Sequence, residues 1–448
     1  MPVAQAPVAQ LEVAAAAMAQ VGHRYEALSL AEKILLRDPE NALAHFIVAR
    51  EMLAEGKTDI AREAAARSFA GAGTDRQRYE AAVLAAKVAV TDKRWISAQY
   101  WARHSIQYAP DAALKDVAVQ DYYRLRGESP LNWSLRLGLR PSSNVNGGAD
   151  SRLNVIDGYD AVGVLSDDAL ALSGLVGTLN FDASYRIAGS ARAETRLGGS
   201  FYLRGVELSG SPTMTPSYLP GDPVPDPVEI SNSDYSMAAL GVSLKQRYML
   251  DPLTQLSGTV EAGQLWDGGE PGYGYAGVHL RGDRRLGGAP DATRLSLGLG
   301  VERREWNDSV QSDTRRDLTF GLTRSVPGGD LSGSMRLLDV ASNNGQARSW
   351  SVSGSLRYEP EARLGPLAYA LSAGIGRTVY PDYSVLWMHP DGGRQDQTVF
   401  GEVGMWAPDY GYAGFTPELR VQALRVDSNV SRFTRSEMSL AVGLRSNF

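Results

Sequence analysis

Cysteine is missing from the whole chain, which excludes a disulfide scaffold and any thiolate metal site. No apolar run reaches the roughly 18 residues that a membrane-spanning helix needs. That absence leaves a membrane barrel open, because barrel strands are short and only half apolar. Basic charge is not in excess either. The net charge is -6 and the isoelectric point about 5.6, which argues against a nucleic-acid partner. The opening "MPVAQAPVAQ" has neither a basic n-region nor a long apolar h-region. If the protein is exported, the expectation is a mature form with an added Met or a misplaced start.

Two kinds of sequence share the 448 residues. Residues 1–127 are Ala-rich, nearly free of Gly and helical in period. Residues 128–448 are rich in Gly, Ser, Thr, Tyr and Arg and alternate with a period of two. Gly127, Ser129 and Pro130 mark the break between them.

The first part repeats. "VGHRYEALSLAEKILLRDPENA" is followed at an offset of 34 by a second copy, which aligns Gly22 with Gly56, Ala27 with Ala61 and Ala15 with Ala49. A third copy, offset by 37, sets Ala98 and Pro110 against Ala27 and Pro39. The three extra residues fall around Gly71, Ala72 and Gly73. Small residues at helix contacts, a turn Gly and a Pro after the second helix predict a short tetratricopeptide-like array. Stacked hairpins of this kind offer a groove for a protein or peptide.

The second part reads as fourteen strands: 131–140, 174–187, 192–206, 235–249, 254–266, 273–284, 293–304, 316–325, 331–340, 347–358, 366–378, 397–407, 414–426 and 437–448. Their lengths suit a tilted bilayer crossing better than a soluble sandwich. Each has an apolar and a polar face. "TLNFDASYRI" sets Leu179, Phe181, Tyr185 and Ile187 against Asn180, Asp182, Ser184 and Arg186. In a membrane barrel the apolar set meets lipid and the polar set lines the lumen. Candidate lumenal charges are Arg186, Arg192, Arg196, Arg204, Lys245, Arg247, Arg294 and Arg357, partly balanced by Asp182, Glu194, Glu261 and Glu302. Long links follow odd strands (141–173, the Pro-rich stretch before 235, and 379–396), while links after even strands are mostly tight. This asymmetry predicts an outer-membrane barrel with both termini, and the helical repeats, on the periplasmic side. Trp133, Tyr185, Tyr248, Trp266, Trp306, Tyr358, Tyr380 and Trp406, near strand ends, are candidates for the interfacial girdles. The last strand alternates Leu440, Val442, Leu444 and Phe448, and is expected to close the barrel against the first.

A short repeat domain, a fourteen-stranded barrel and a terminal Phe together resemble the surface lipoprotein assembly modulators (the Slam family), outer-membrane components of type XI secretion systems. "LRPSSNVNGGADS" is similar to that family's Ser-Ser-Asn-hydrophobic-Asn segment, carried here by Ser142, Ser143, Asn144, Val145 and Asn146. The resemblance implies a translocon that moves a surface lipoprotein, or a secreted soluble relative, across the outer membrane. It implies that the helices and barrel bind this client, with Ser142, Ser143, Asn144 and Asn146 as contacts. The terminal Phe strand also resembles the signal read by the outer-membrane insertion machinery.

Two other readings stand beside it. One is a polysaccharide export barrel, which usually carries more repeats and sixteen strands. The other is an anion-preferring porin, favoured by rings of Arg and Lys. Catalysis is not expected. No Gly-x-Ser-x-Gly elbow precedes a helix, no phosphate loop is present, and no spacing of the five His with carboxylates suggests a metal. His279 is expected to face inward near Tyr275 and Arg281, and His389 to lie in a loop. No cofactor is implied.

Overall fold

The computed structural model describes residues 6–157, 159, 162–215, 226–287, 292–307, 310–412 and 415–446. Among these, seven helices precede a closed antiparallel barrel of fourteen strands. Contacts divide the chain into two units. One holds residues up to Asn132, with a few residues from 411–415 and the chain end; the other holds the barrel from Trp133 onward.

The helices are α1 (Val8–Gln20), α2 (Arg24–Leu35), α3 (Ala42–Ala54), α4 (Thr58–Gly71), α5 (Asp75–Thr91), α6 (Trp95–Gln107) and α7 (Ala112–Glu128). The first six form three hairpins with one turn geometry. His23, Lys57 and Arg94 each donate a backbone N–H to the carbonyl five residues earlier, at 2.9, 2.9 and 2.8 Å. The residue before each is left-handed: Gly22 at φ 81°, Gly56 at 74° and Lys93 at 55°. The third hairpin therefore keeps the turn without its Gly, at a steric cost of about 1–2 kcal/mol. Ala27, Ala61 and Ala98 are fully buried, so a small residue at each lets paired helices approach. The extra residues around Gly71 end α4, and Thr74 then opens α5 with a capping box to Gln77.

The barrel strands are β1 (Leu131–Ser142), β2 (Gly174–Gly189), β3 (Ala193–Leu208), β4 (Met237–Asp251), β5 (Thr254–Asp267), β6 (Glu270–Leu286), β7 (Thr293–Trp306), β8 (Ser312–Val326), β9 (Gly329–Ser342), β10 (Ser349–Pro360), β11 (Ala368–Tyr380), β12 (Arg394–Trp406), β13 (Phe415–Ser428) and β14 (Arg435–Ser446). Each pairs with its neighbour in sequence, and β1 pairs with β14 through Gly138–Gly443, Leu139–Val442 and Ser142–Ser439. Closure leaves no open edge. The longest connections (143–173, 209–236 and 381–393) all follow odd strands, although β5 and β6 are joined by Gly268 and Gly269 alone.

Leu240, Val242 and Leu244 on β4, Leu295, Leu297, Leu299 and Val301 on β7, and Leu440, Val442 and Leu444 on β14 are all exposed. These rows alternate with the charged set and form the outward face. A closed barrel of even strand number with an apolar exterior is the fold of outer-membrane proteins. Phe448 lies outside the described residues. Of the expected girdle residues, Tyr185, Tyr248 and Tyr358 share the outward parity. Trp306, Tyr380 and Trp406 do not: by alternation they fall on the inner face, where Trp306 packs on Tyr273 and Tyr380 lies under Arg394. Position near a strand end says nothing about side, which is set by parity alone.

Candidate functional site

The inner wall of the barrel carries the chemistry. Arg186, Arg196, Arg204, Lys245, Arg247, Arg294 and Arg357 all lie on strands at positions that alternate with the outward apolar rows. Arg192 does not. It sits in the turn between β2 and β3, where the Ser190 hydroxyl accepts from its backbone N–H, because β3 begins only at Ala193.

Most inner charges brace the wall. Glu194 bridges Arg196 and Arg247, and Arg196 also donates to Ser184 at 3.1 Å. Arg281 chelates Asp283, Arg357 pairs with Glu359, and Arg136 faces Asp182. At the end of the barrel with the tight β4–β5 turn the balance tips. Arg285 and Arg294 face each other directly across β6 and β7. Among the described residues, neither they nor Lys245 make an ion pair.

Halfway along the wall, β5, β6 and β7 bring Glu261, His279 and Glu302 together. One donor atom from each lies within 4.8 Å of the others, and His279 Nε2 is 3.1 Å from Glu261 Oε1. The reason is register. Gly277 pairs with both Glu261 and Glu302, so the two carboxylates flank a position without a side chain. A Cβ there would lie 3.2 Å from His279 Nε2. Gly300, paired with His279 and Asp317, makes a second gap: a Cβ would lie 2.7 Å from His279 Nδ1 and 2.4 Å from Asp317 Oδ1. The imidazole thus lies along the wall with one nitrogen toward two glutamates and the other toward Asp317. Arg304 donates to Glu302 at 2.5 Å and rests on the Tyr273 ring. Tyr275 lies flat beside this group, its hydroxyl over the vacant positions of Gly241 and Gly263. Reading along the chain, no spacing suggested a metal-competent set, because its three members sit on three strands. The inward parity of His279, Tyr275 and Arg281 was the available signal.

The Ser142–Asn146 segment is held inside the barrel's own framework. Ser142 donates to Glu437 at 2.9 Å, and Arg140 donates to the same oxygen at 2.7 Å, which clamps β1 to β14. Ser143 exchanges bonds with the backbone of Met438. Asn144 closes a loop onto Gly148 in both directions, at 2.8 Å each. Asn146 imitates a strand neighbour, donating to Leu170 O at 2.6 Å and accepting from Leu172 N at 2.9 Å. Arg204, from the inner face of β3, donates to Val145 O at 2.6 Å. Val145 is buried with Val176, Val206, Leu208 and Ile230. Farther on, Ile156 packs with Met388 and Val430, and Tyr159 exchanges bonds with the backbone of His389. His389 does lie in a loop, between β11 and β12. The connection after β1 is thereby fastened to the wall on both sides of the closing seam.

No family model matches the chain, and no curated protein matches it. Among solved structures the chain is similar to OprB of Pseudomonas putida at high pH, with 9% identity, 73% of this chain and 96% of that chain covered, and a TM-score of 0.39. It is similar to the outer membrane channel DcaP of Acinetobacter baumannii, at 11% identity, 72% and 98% coverage and a TM-score of 0.38. It is also similar to a bacterial polysaccharide outer membrane secretin, at 9% identity, 69% and 98% coverage and a TM-score of 0.34.

Proposed function

We propose that the protein is an outer-membrane translocon that delivers one client protein, a surface lipoprotein or a secreted soluble relative, to the cell surface. The observation that carries this reading is the presence, on one chain with a closed barrel, of three helical hairpins built on a repeated turn. A channel for small solutes has no use for such an array, whereas stacked hairpins suit capture of a polypeptide. We take the helices to be periplasmic, since both barrel termini lie at the end opposite the three longest connections and barrels of this kind keep short turns in the periplasm. In this reading Ser142, Ser143, Asn144 and Asn146 act on the client indirectly, by fixing the loops that meet it. Their polar atoms are engaged within the chain.

Co-expression of candidate clients with and without the protein tests the proposal. Surface exposure or secretion of one client should depend on the full chain and be lost when residues 1–127 are deleted. Independence for every candidate defeats it. A second reading, an anion-preferring pore, is favoured by Lys245, Arg285 and Arg294, which make no ion pair among the described residues. Planar-bilayer recording separates the two: a large, steady anion current supports the pore, and a closed or flickering baseline supports the translocon.

A further inference from the structure

Among the inner-wall carboxylates described, Glu261, Asp313 and Glu402 have no Arg in an ion pair, and of these three Glu261 is the one that faces an imidazole. Glu194, Asp283, Glu302 and Glu359 each have an Arg. Glu261 has, among the described residues, one polar partner only, the His279 imidazole at 3.1 Å. A lone carboxylate beside an imidazole is half of a metal-ligand set, and Glu302 supplies a third donor from the next strand. We propose that Glu261, His279 and Glu302 form a site for a transition-metal dication of the zinc class on the lumenal wall.

Three features favour this. First, the donor types fit: one imidazole nitrogen and two carboxylate oxygens suit Zn²⁺ at about 2.0–2.2 Å, which sets ligand atoms roughly 3.3–3.5 Å apart. The observed 3.1 Å and the 4.8 Å limit bracket that spacing. Second, the space is provided. Gly277 and Gly300 are the two positions where a Cβ would meet the imidazole, at 3.2 and 2.7 Å. Third, a carboxylate stands on the other side of the ring. Asp317 Oδ1 and His279 Nδ1 both border the vacant point at Gly300, so a carboxylate of the kind that backs metal-binding His residues is at hand there. Three protein donors leave coordination open to water or to a donor from whatever passes through the lumen. Arg304 competes for Glu302, so binding moves that guanidinium onto the Tyr273 ring it already touches.

The test uses the full chain, purified in detergent, stripped with a chelator and titrated with Zn²⁺ by calorimetry. The expected result is saturation at one Zn²⁺ per chain, a loss of at least tenfold in affinity in His279→Ala and in Glu261→Gln, and much weaker binding of Mg²⁺. Heat-modifiable migration on gels reports whether each variant still forms the barrel. If His279→Ala fails to fold, Glu261→Gln and Gly300→Ala (whose new Cβ displaces His279 and Asp317) carry the test. The proposal is overturned by absence of saturable binding, by unchanged affinity in the folded variants, or by Mg²⁺ binding as tightly as Zn²⁺. These readouts do not depend on what the barrel transports.

Discussion

In the helical hairpins Ala27, Ala61 and Ala98 are fully buried, while in the barrel Leu295, Leu297 and Leu299 stand exposed and the Arg and Glu side chains turn inward. Each half has sorted its residues for a different surrounding. Helices in water bury apolar groups against one another, and a barrel in lipid turns them out. Both halves hold buried polar atoms without a partner, Thr254 Oγ1 and Asp313 Oδ1 on barrel strands and a histidine among the helices. His104 is 1% exposed, ringed by Phe69, Tyr100, Trp101 and Tyr108, with neither ring nitrogen hydrogen-bonded. The inner wall of the barrel instead joins many of its charges in pairs, such as Glu194 with Arg196 and Arg247, and Glu302 with Arg304.

Substitutions that exchange the two surroundings should separate them. The largest effect is expected from Leu297→Arg on the outward face. It should cost about 2–4 kcal/mol near mid-membrane, read as a lower denaturant midpoint for the folded band in lipid vesicles. The inward neighbour Ser296→Arg should cost much less, and equal costs would mean that the assigned faces are wrong. Next comes Ala61→Leu. Overpacking a fully buried contact should cost about 1–3 kcal/mol, seen as a lower helical melting temperature by circular dichroism with the barrel band unchanged. Lys93→Gly should act in the opposite direction, raising helical stability by about 1 kcal/mol, because it relieves a left-handed turn that the other two hairpins assign to Gly. The smallest effect depends on pH. Burial holds the His104 pKa below its ordinary 6.5, so the unfolded chain takes up the proton first. Stability of the helices is therefore complete above about pH 6.5 and falls as pH drops from there toward the folded pKa. His104→Phe should flatten that slope, and an unchanged slope would mean another group is responsible.

Much of this was legible along the chain. All fourteen strands were readable to within a few residues, because a half-buried strand repeats every two residues whatever lies on its other side. The hairpin repeat was readable too, even to the three-residue insertion, because Ala27, Ala61 and Ala98 recur where closely paired helices admit little else, while Gly22 and Gly56 mark a turn that Lys93 makes in the third copy. The differences concern the face of a strand and the end of one. Trp306, Tyr380 and Trp406 were assigned by nearness to strand ends, but their side depends on parity. Arg192 was assigned to a strand that starts one residue later.

Alternation and repeat length, both local properties, thus determined the architecture: helical hairpins, then a barrel with an apolar outside and a charged inside. Register decided the rest. Only pairing across β5, β6 and β7 puts Glu261, His279 and Glu302 on one patch of wall, with Gly277 and Gly300 leaving room between them. Only closure of β1 on β14 brings Arg140 and Ser142 to Glu437, nearly 300 residues away along the chain. A period can be read from neighbours in sequence, but a contact between strands depends on how far each has slid past the next, and that offset is set by the closed sheet as a whole.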